Sequence, residues 1–430
     1  MGGVAMDRRG FLTSVTAGSV IAPTLGLASA RVSAEPAPVH SAHSFPPEWE
    51  PHDAVWMGWN DYVDADEAHV KLRLEMIAAL TPHVPVRLLV PDEDKASTVA
   101  TRLSGAGIAL DRVDFQVQPT VDVWTRDCGP LFVTDGATKQ LAAFRWSNYG
   151  YPWPLNMNMA RGEVDAEIGA RLGLAMRNSE VIAEGGGLDV NSRTLITYRD
   201  ALWERNAHMS LSEIEAELKR LYGKEQVIWL DRAPITDRVL QGPKVANFFG
   251  WGANGHVDEY VRFVAEDTIM VGEVSEAERE RDALMRLDHE ILTENRRQLE
   301  EARDPDGNPF KVLTMPVPDI GSLMRRRTLT EEDFSTYGGR WMFNRHFKPG
   351  DEVIDVPAVS YLNFLVTNGV VLSAKYGGAG RPDHLAETDA IAAARLAEAF
   401  PDREIVQIDP LAANWDGGGM HCLTQQEPSL

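Results

Sequence analysis

Short apolar runs separated by amphipathic stretches set the rhythm of the chain. Val86–Val90, Gln226–Leu230, Thr268–Gly272 and Asn363–Val366 are brief β-branched or apolar runs, the pattern of buried or half-buried strands. The stretches between them predict helices over Asp66–Leu80, Ser210–Tyr222, Ser275–Ala302 and Ala386–Ala399. Two of these open with capping-box patterns, Ser210-x-x-Glu213 and Ser275-x-x-Glu278, which satisfy backbone N–H groups that a first turn leaves without partners. Asp304-Pro305-Asp306-Gly307-Asn308-Pro309 marks a turn between the long charged helix and a strand at Lys311–Thr314. Strand–helix units recur along the chain without a repeat visible at residue level, and no Pro/Gly/Ser linker splits its middle. The pattern predicts an α/β or α+β class in one domain.

The N-terminus breaks that rhythm. Met6-Asp7-Arg8-Arg9-Gly10-Phe11-Leu12 precedes a mildly apolar run through Val15, Ala17, Val20, Ile21 and Ala22, with small-residue sites at Ala28-Ser29-Ala30 and Val32-Ser33-Ala34. Paired arginines ahead of Phe-Leu and a weak apolar core resemble a twin-arginine signal. Recurrent Gly and Ser, with Pro23, argue against an amphipathic first helix. Residues 1–34 are therefore expected to engage the twin-arginine export machinery, with 35–45 a linker and 46–430 the working domain, placed in the periplasm or outside the cell. No later stretch reaches the ~18–20 apolar residues of a membrane span.

Charge narrows the partners. Among 430 residues, 42 Lys+Arg stand against 64 Asp+Glu, a formal net charge of −22. Such a chain is poorly suited to nucleic acid, which needs clustered cations, and suits cationic small molecules or basic peptides. The 2 cysteines, Cys128 and Cys422, exclude a disulfide framework and multi-cysteine metal clusters.

Four motifs carry candidate chemistry. Trp124-Thr125-Arg126-Asp127-Cys128-Gly129-Pro130 sets an acid beside an aromatic before a sharp turn; its plain reading is a strand end with Arg126 and Asp127 solvated or mutually paired. Glu184-Gly185-Gly186-Gly187 strips side chains from around one carboxylate, so that another group can approach the backbone. In Gly255-His256-Val257-Asp258 the imidazole and carboxylate stand two apart, on one face if the segment is a strand. Trp415-Asp416-Gly417-Gly418-Gly419-Met420-His421-Cys422 leads a second glycine triplet into a thiol. Several acids beside one thiolate are costly unless the substrate brings positive charge. A guanidinium does so, being planar, always charged and matched to carboxylates by paired hydrogen bonds. Attack on its central carbon, loss of ammonia and hydrolysis together make deimination.

These motifs, in this order, resemble the agmatine deiminase and bacterial peptidylarginine deiminase family of guanidino-group-modifying enzymes. The resemblance runs from Pro46-Pro47-Glu48-Trp49-Glu50-Pro51-His52 and Trp56-Met57-Gly58-Trp59, through the motifs above and Tyr361-x-Asn363-Phe364, to Gly417–Pro428. It implies a single-domain α/β fold, the five-bladed propeller of the penteins with pseudo-fivefold symmetry and a central site. It also implies Cys422 as nucleophile, Asp127 and Asp258 holding the guanidinium, and His256 as the acid and then base. Glu184 would orient His256, and Asn363, Trp124 and Gly419 would help place substrate. No metal or organic cofactor is expected, and Cys128 is expected to be a packing residue. The substrate stays open between agmatine, free arginine and peptide arginine. Around Trp146-Ser147-Asn148-Tyr149-Gly150-Tyr151 only Arg145 is near, where secreted peptidylarginine deiminases place arginines that hold a substrate carboxylate. Two other classes remain: a metal-dependent hydrolase built on Glu184, His256 and Asp258, and a non-catalytic binder of cationic ligands.

Overall fold

Ser210 shows how local chemistry sets element boundaries here. Its side chain accepts from the N–H of Glu213 while the Glu213 carboxylate accepts from the N–H of Ser210, and the helix runs Leu211–Tyr222 behind this capping box. Asp66 caps Glu67–Leu80 in the same way, through the N–H of Ala68. The computed structural model describes residues 43–150, 161–238, 242–335, 342–343 and 345–430, of which those from 43 onward belong to one compact unit. The expected signal, residues 1–34, lies outside the described residues.

Five sheets share one construction: an antiparallel pair followed by a helical crossover to a parallel strand. Leu131–Thr134, Lys139–Arg145 and Met176–Ile182 form the first, with the helix Val164–Leu172 in the crossover. Asp189–Val190, Thr194–Tyr198 and Gln226–Leu230 form the second, around Leu211–Tyr222. Val261–Ala265, Thr268–Glu273 and Lys311–Pro316 form the third. Leu365–Thr367, Val370–Ala374 and Glu404–Ile408 form the fourth, around Asp383–Ala399. The fifth joins the two ends of the described chain. Thr424–Pro428 pairs antiparallel with His52–Gly58, which pairs parallel with Val86–Val90, and Val113–Val117 adds a further parallel strand. The repeat is one of topology rather than residue identity, and the buried apolar clusters run from one unit into the next. In the third unit Ile269 and Val271 are buried with Leu292 and Leu299 of the crossover helix, each burial worth about 1.5–3 kcal/mol.

A sixth sheet stands outside this scheme. Phe248–Trp251 pairs parallel with Glu352–Pro357, which pairs antiparallel with Arg325–Thr328. It has its own buried cluster, including Phe249, Leu329, Phe343, Phe347 and Val353.

Two expectations need correction. The long helix expected over Ser275–Ala302 is two, Glu276–Arg281 and Ala283–Glu301, because extended Asp282 turns its carboxylate onto the N–H of Met285 and starts a new helix. The strand expected from Asn363 begins at Leu365, since Asn363 is engaged with the C-terminal loop. Arg325–Thr328, the edge strand of the sixth sheet, leaves Arg325 and Arg326 exposed while Arg327 pairs with Asp355 and Asp333. Among the described residues no helix is long and apolar enough to cross a membrane.

Candidate active site

Each candidate residue stands just ahead of the first strand of a unit. Asp127 precedes Leu131–Thr134, Glu184 precedes Asp189–Val190, and His256 with Asp258 precedes Val261–Ala265. Asn363 precedes Leu365–Thr367, and Cys422 precedes Thr424–Pro428. One position, repeated five times, therefore supplies one site.

The glycine triplets make the convergence sterically possible. A Cβ on Gly186 would lie 2.7 Å from His256 Nδ1 and 3.0 Å from both Asp127 Oδ1 and Asp258 Oδ2. One on Gly418 would lie 2.9 Å from Cys422 Sγ and 2.9 Å from the Trp124 ring, and one on Gly419 would lie 2.6 Å from Asn363 Oδ1. Real Cβ atoms do not tolerate such approaches, so these backbones line the site because they lack side chains.

Cys422 Sγ accepts from Asn363 Nδ2 at 3.1 Å and points its proton toward Asp258 Oδ2 at 3.4 Å and Glu259 Oε1 at 3.7 Å. Asn363 Oδ1 accepts from the N–H groups of His421 and Cys422, so this side chain grips the nucleophile loop from both ends. His256 has Asp127 Oδ1 3.8 Å from Nδ1 and Glu184 Oε2 3.6 Å from Nε2. These are ion-pair separations without a hydrogen bond, which leaves both ring nitrogens free for transfer. Asp127 accepts from the N–H of Gly186 and from the Tyr149 hydroxyl, each at 2.9 Å. Glu184 is held at 3.0 Å by Arg205 Nε. Trp124 packs beside Gly418, and its carbonyl accepts from Cys128 Sγ at 3.2 Å. All eight residues named from the sequence come together here.

Their surroundings differ from the expectation in two places. The His256–Asp258 segment is a 3₁₀ turn over Val257–Glu259, not a strand. The Asp237 carboxylate collects the N–H groups of Ala253, Gly255 and His256 at 2.6–2.7 Å, and Asn254 and Gly255 take positive φ values of 66° and 101°, which bends the chain. Arg126 and Asp127 are neither solvated nor paired to each other. They open a four-residue helix, Thr125–Cys128, and are buried, with Arg126 reaching Gln426 and the His421 carbonyl. Cys128 and Cys422 are both free and buried.

Burial raises the stakes of each charge. Burial also pushes the Asp127 carboxyl up to about 6, with Asp258 adding to the rise and His256 opposing it. Burial alone would lower His256; Asp127, Glu184 and Asp258 outweigh it and lift the imidazole to about 9. For Glu184 and Asp258 burial is likewise outweighed, by Arg205 and by His421 respectively, and both carboxyls fall below their ordinary range. Burial, Asp258, Glu259 and Asp127 push the Cys422 thiol well up. The arrangement is a protonated imidazole and a suppressed thiol inside a cage of acids, and a cation entering it would favour the thiolate.

Sequence reasoning did not select Glu48, Tyr149, Arg205, Asp237, Glu259 or His421 for the site. Glu48 and His421 stood within quoted motifs, and Glu259 directly follows Asp258, so a signal existed for these three. Nothing in the local pattern distinguishes Arg205 or Asp237 from other surface-type charges. Among the described residues, the set of side chains close enough to share a metal ion is Asp258, Glu259 and Cys422, whose ligand atoms lie within 4.8 Å of one another. That set differs from the Glu184, His256 and Asp258 expected for a metal hydrolase, and it includes the thiol itself.

A family model described as Porphyromonas-type peptidyl-arginine deiminase matches residues 44–428. An agmatine deiminase of Pseudomonas aeruginosa is 27% identical over 400 residues, covering 89% of this chain and 95% of that protein. One from Medicago truncatula is 26% identical, covering 92% of this chain and 99% of that protein. The solved agmatine deiminase of Enterococcus faecalis superposes with a TM-score of 0.66 at 23% identity, over 90% of this chain and 96% of that one. This last likeness shows the fold: the five ββαβ units are those of a pentein.

Proposed function

Because the chain belongs to the Porphyromonas-type peptidyl-arginine deiminase family, we propose that it hydrolyses a guanidino group, with agmatine as substrate and N-carbamoylputrescine and ammonia as products. The observation that carries this reading is Cys422 Sγ set 3.4 Å from Asp258 and 3.7 Å from Glu259, inside the acid cage that also holds His256. Asp127 and Asp258 take the guanidinium N–H groups, and the cation draws the thiol toward thiolate, its proton leaving to solvent by way of Glu259 Oε1, 3.7 Å from the sulfur. Sulfur forms a bond to the guanidinium carbon. His256 gives its proton to the departing nitrogen, the C–N bond breaks and ammonia leaves a thiouronium on Cys422. His256 then takes a proton from water, whose oxygen bonds to the same carbon. The C–S bond breaks and the proton of the added hydroxyl returns to the sulfur, restoring the thiol and leaving the ureido product. Glu184, anchored by Arg205, keeps the imidazole charged and oriented.

Agmatine is favoured over a substrate bearing a free carboxylate by the state of the neighbouring cations. Arg145 is exposed and paired with Glu180, and Arg161 is paired with Asp122 and Asn148. Neither is left to grip a carboxylate beside Tyr149. The curated relatives named above are agmatine deiminases along nearly their whole length. The test is product mass and ammonia release from agmatine, free arginine and a peptide with internal arginine, in parallel. Turnover led by agmatine is expected; turnover led by the peptide would reassign the enzyme to protein citrullination, and loss of activity to a chelator would favour a metal hydrolase.

The twin-arginine reading of residues 1–34 adds a location: the enzyme acts after export, periplasmic or extracellular. It rests on Arg8-Arg9-Gly10-Phe11-Leu12. Substituting both arginines by lysine should retain the full-length chain in the cytoplasm, and unchanged fractionation would end that proposal.

A further inference from the structure

The mechanism leaves unused the buried imidazole that directly precedes Cys422, that of His421. His421 Nδ1 lies 2.6 Å from Asp258 Oδ2, and its Nε2 lies 2.9 Å from Glu48 Oε2. Glu48 in turn bonds Arg262 through Oε2 and accepts the N–H of Val366 at 2.7 Å through Oε1. Arg262 Nε donates to Asp189 at 2.9 Å, its guanidinium also bonds the carbonyls of Leu362 and Phe364, and its Cζ lies 4.5 Å over the Phe364 ring. Asp189, Arg262, Glu48, His421 and Asp258 thus form one chain of alternating charge, and every member is buried. It runs across three units of the fold and ends against the nucleophile.

Ionised carboxylates only accept hydrogen bonds, so an imidazole bonded to one at each nitrogen donates from both. That places a fixed cation beside Asp258. Without it, Asp258 would face Asp127, Glu259 and the Cys422 sulfur, all acidic, with His256 as its nearest opposing group. The remaining charges against His421 are Arg126, whose Nε donates to the His421 carbonyl, and the Arg262 and Asp189 already in the chain. Asp127 supplies an internal comparison. It has no such partner and stays raised to about 6, whereas Asp258 lies below the ordinary carboxylate range.

We propose that His421 is a positioning residue: clamped as a doubly donating imidazolium between Glu48 and Asp258, it holds Asp258 ionised and aimed at the substrate guanidinium. The proposal rests on the deimination reading for its kinetic consequence but not for the charge state of the ring. The first measurement is therefore ¹⁵N NMR of the His421 ring in the substrate-free enzyme at pH 7. Both nitrogens should carry protons; a neutral tautomer would overturn the proposal whatever reaction the enzyme performs.

The second measurement is the pH dependence of kcat/KM for His421→Asn. With Asp258 stripped of its cation and its aim, the acid limb should move up and KM should rise about tenfold, with a smaller fall in kcat. Glu48→Gln, which removes one clamp and keeps the imidazole, should give a smaller shift in the same direction, and it stands in if His421→Asn does not fold. A folded variant with a uniform loss at all pH values and an unmoved limb would reduce His421 to a packing role. If the wild-type protein releases no ammonia from any guanidino substrate, it is the deimination reading that fails, and the NMR result still decides the charge of His421.

Discussion

Cys422→Ala is expected to abolish ammonia release, lowering turnover by about 10⁴-fold or more, as removal of a covalent nucleophile does elsewhere. No other group can replace it. In the proposed mechanism the surrounding acids hold the cation, and His256, lifted to about 9, is charged and without a free pair to attack. Cys128→Ala is the matched control: its thiol donates to the Trp124 carbonyl at 3.2 Å and is raised by burial, away from the carboxylate cage. That variant should retain most activity. Ammonia measured by a coupled assay, with folding checked by circular dichroism, separates the two. Activity surviving in Cys422→Ala would end the covalent mechanism.

Gly186→Ala should be the most damaging single methyl in the protein's catalytic centre. The new Cβ would stand 2.7 Å from His256 Nδ1 and 3.0 Å from Asp127 and Asp258, so it occupies the space where imidazole and acids converge. The backbone is not at fault, since Gly186 does not take a positive φ. The damage is displacement of the acid, the base and the guanidinium anchors together. A shift of about 1 Å in such groups costs about 10²-fold in rate. Gly378→Ala, whose Cβ would meet nothing within 4 Å, is the control. The expected result is a fall in kcat/KM of at least about 10²-fold with a near-native melting temperature, while the control keeps both. Equal activity in the two variants would show that the glycine triplet serves the turn alone.

How far the site could be read in advance differs residue by residue. Cys422, His256, Asp127, Asp258 and Glu184 were legible because glycine runs and lone acids interrupt otherwise apolar segments. Asn363 was legible as a member of the set but not in its contacts. Its amide holds the thiol and two N–H groups of the loop before Thr424, a relation between residues 58 and 59 positions apart. Asp237 was illegible, since its task is to gather three N–H groups of a loop 16 to 19 positions away. The break at Asp282 was also hidden, because one aspartate at the end of the charged run 276–282 carries no mark of an extended backbone.

The amino-acid sequence by itself determined the local elements, the caps that start them and the inventory of reactive groups. Those depend on neighbours a few residues away, and periodicity records them directly. The sixth sheet, the closure of Thr424–Pro428 onto His52–Gly58, and the buried chain from Asp189 to Asp258 were decided only in three dimensions. Charge state belongs with them. A carboxylate's field depends on what lies a few ångströms away, and here those neighbours come from four or five separate segments. For that reason the same residue type is raised at Asp127 and lowered at Asp258.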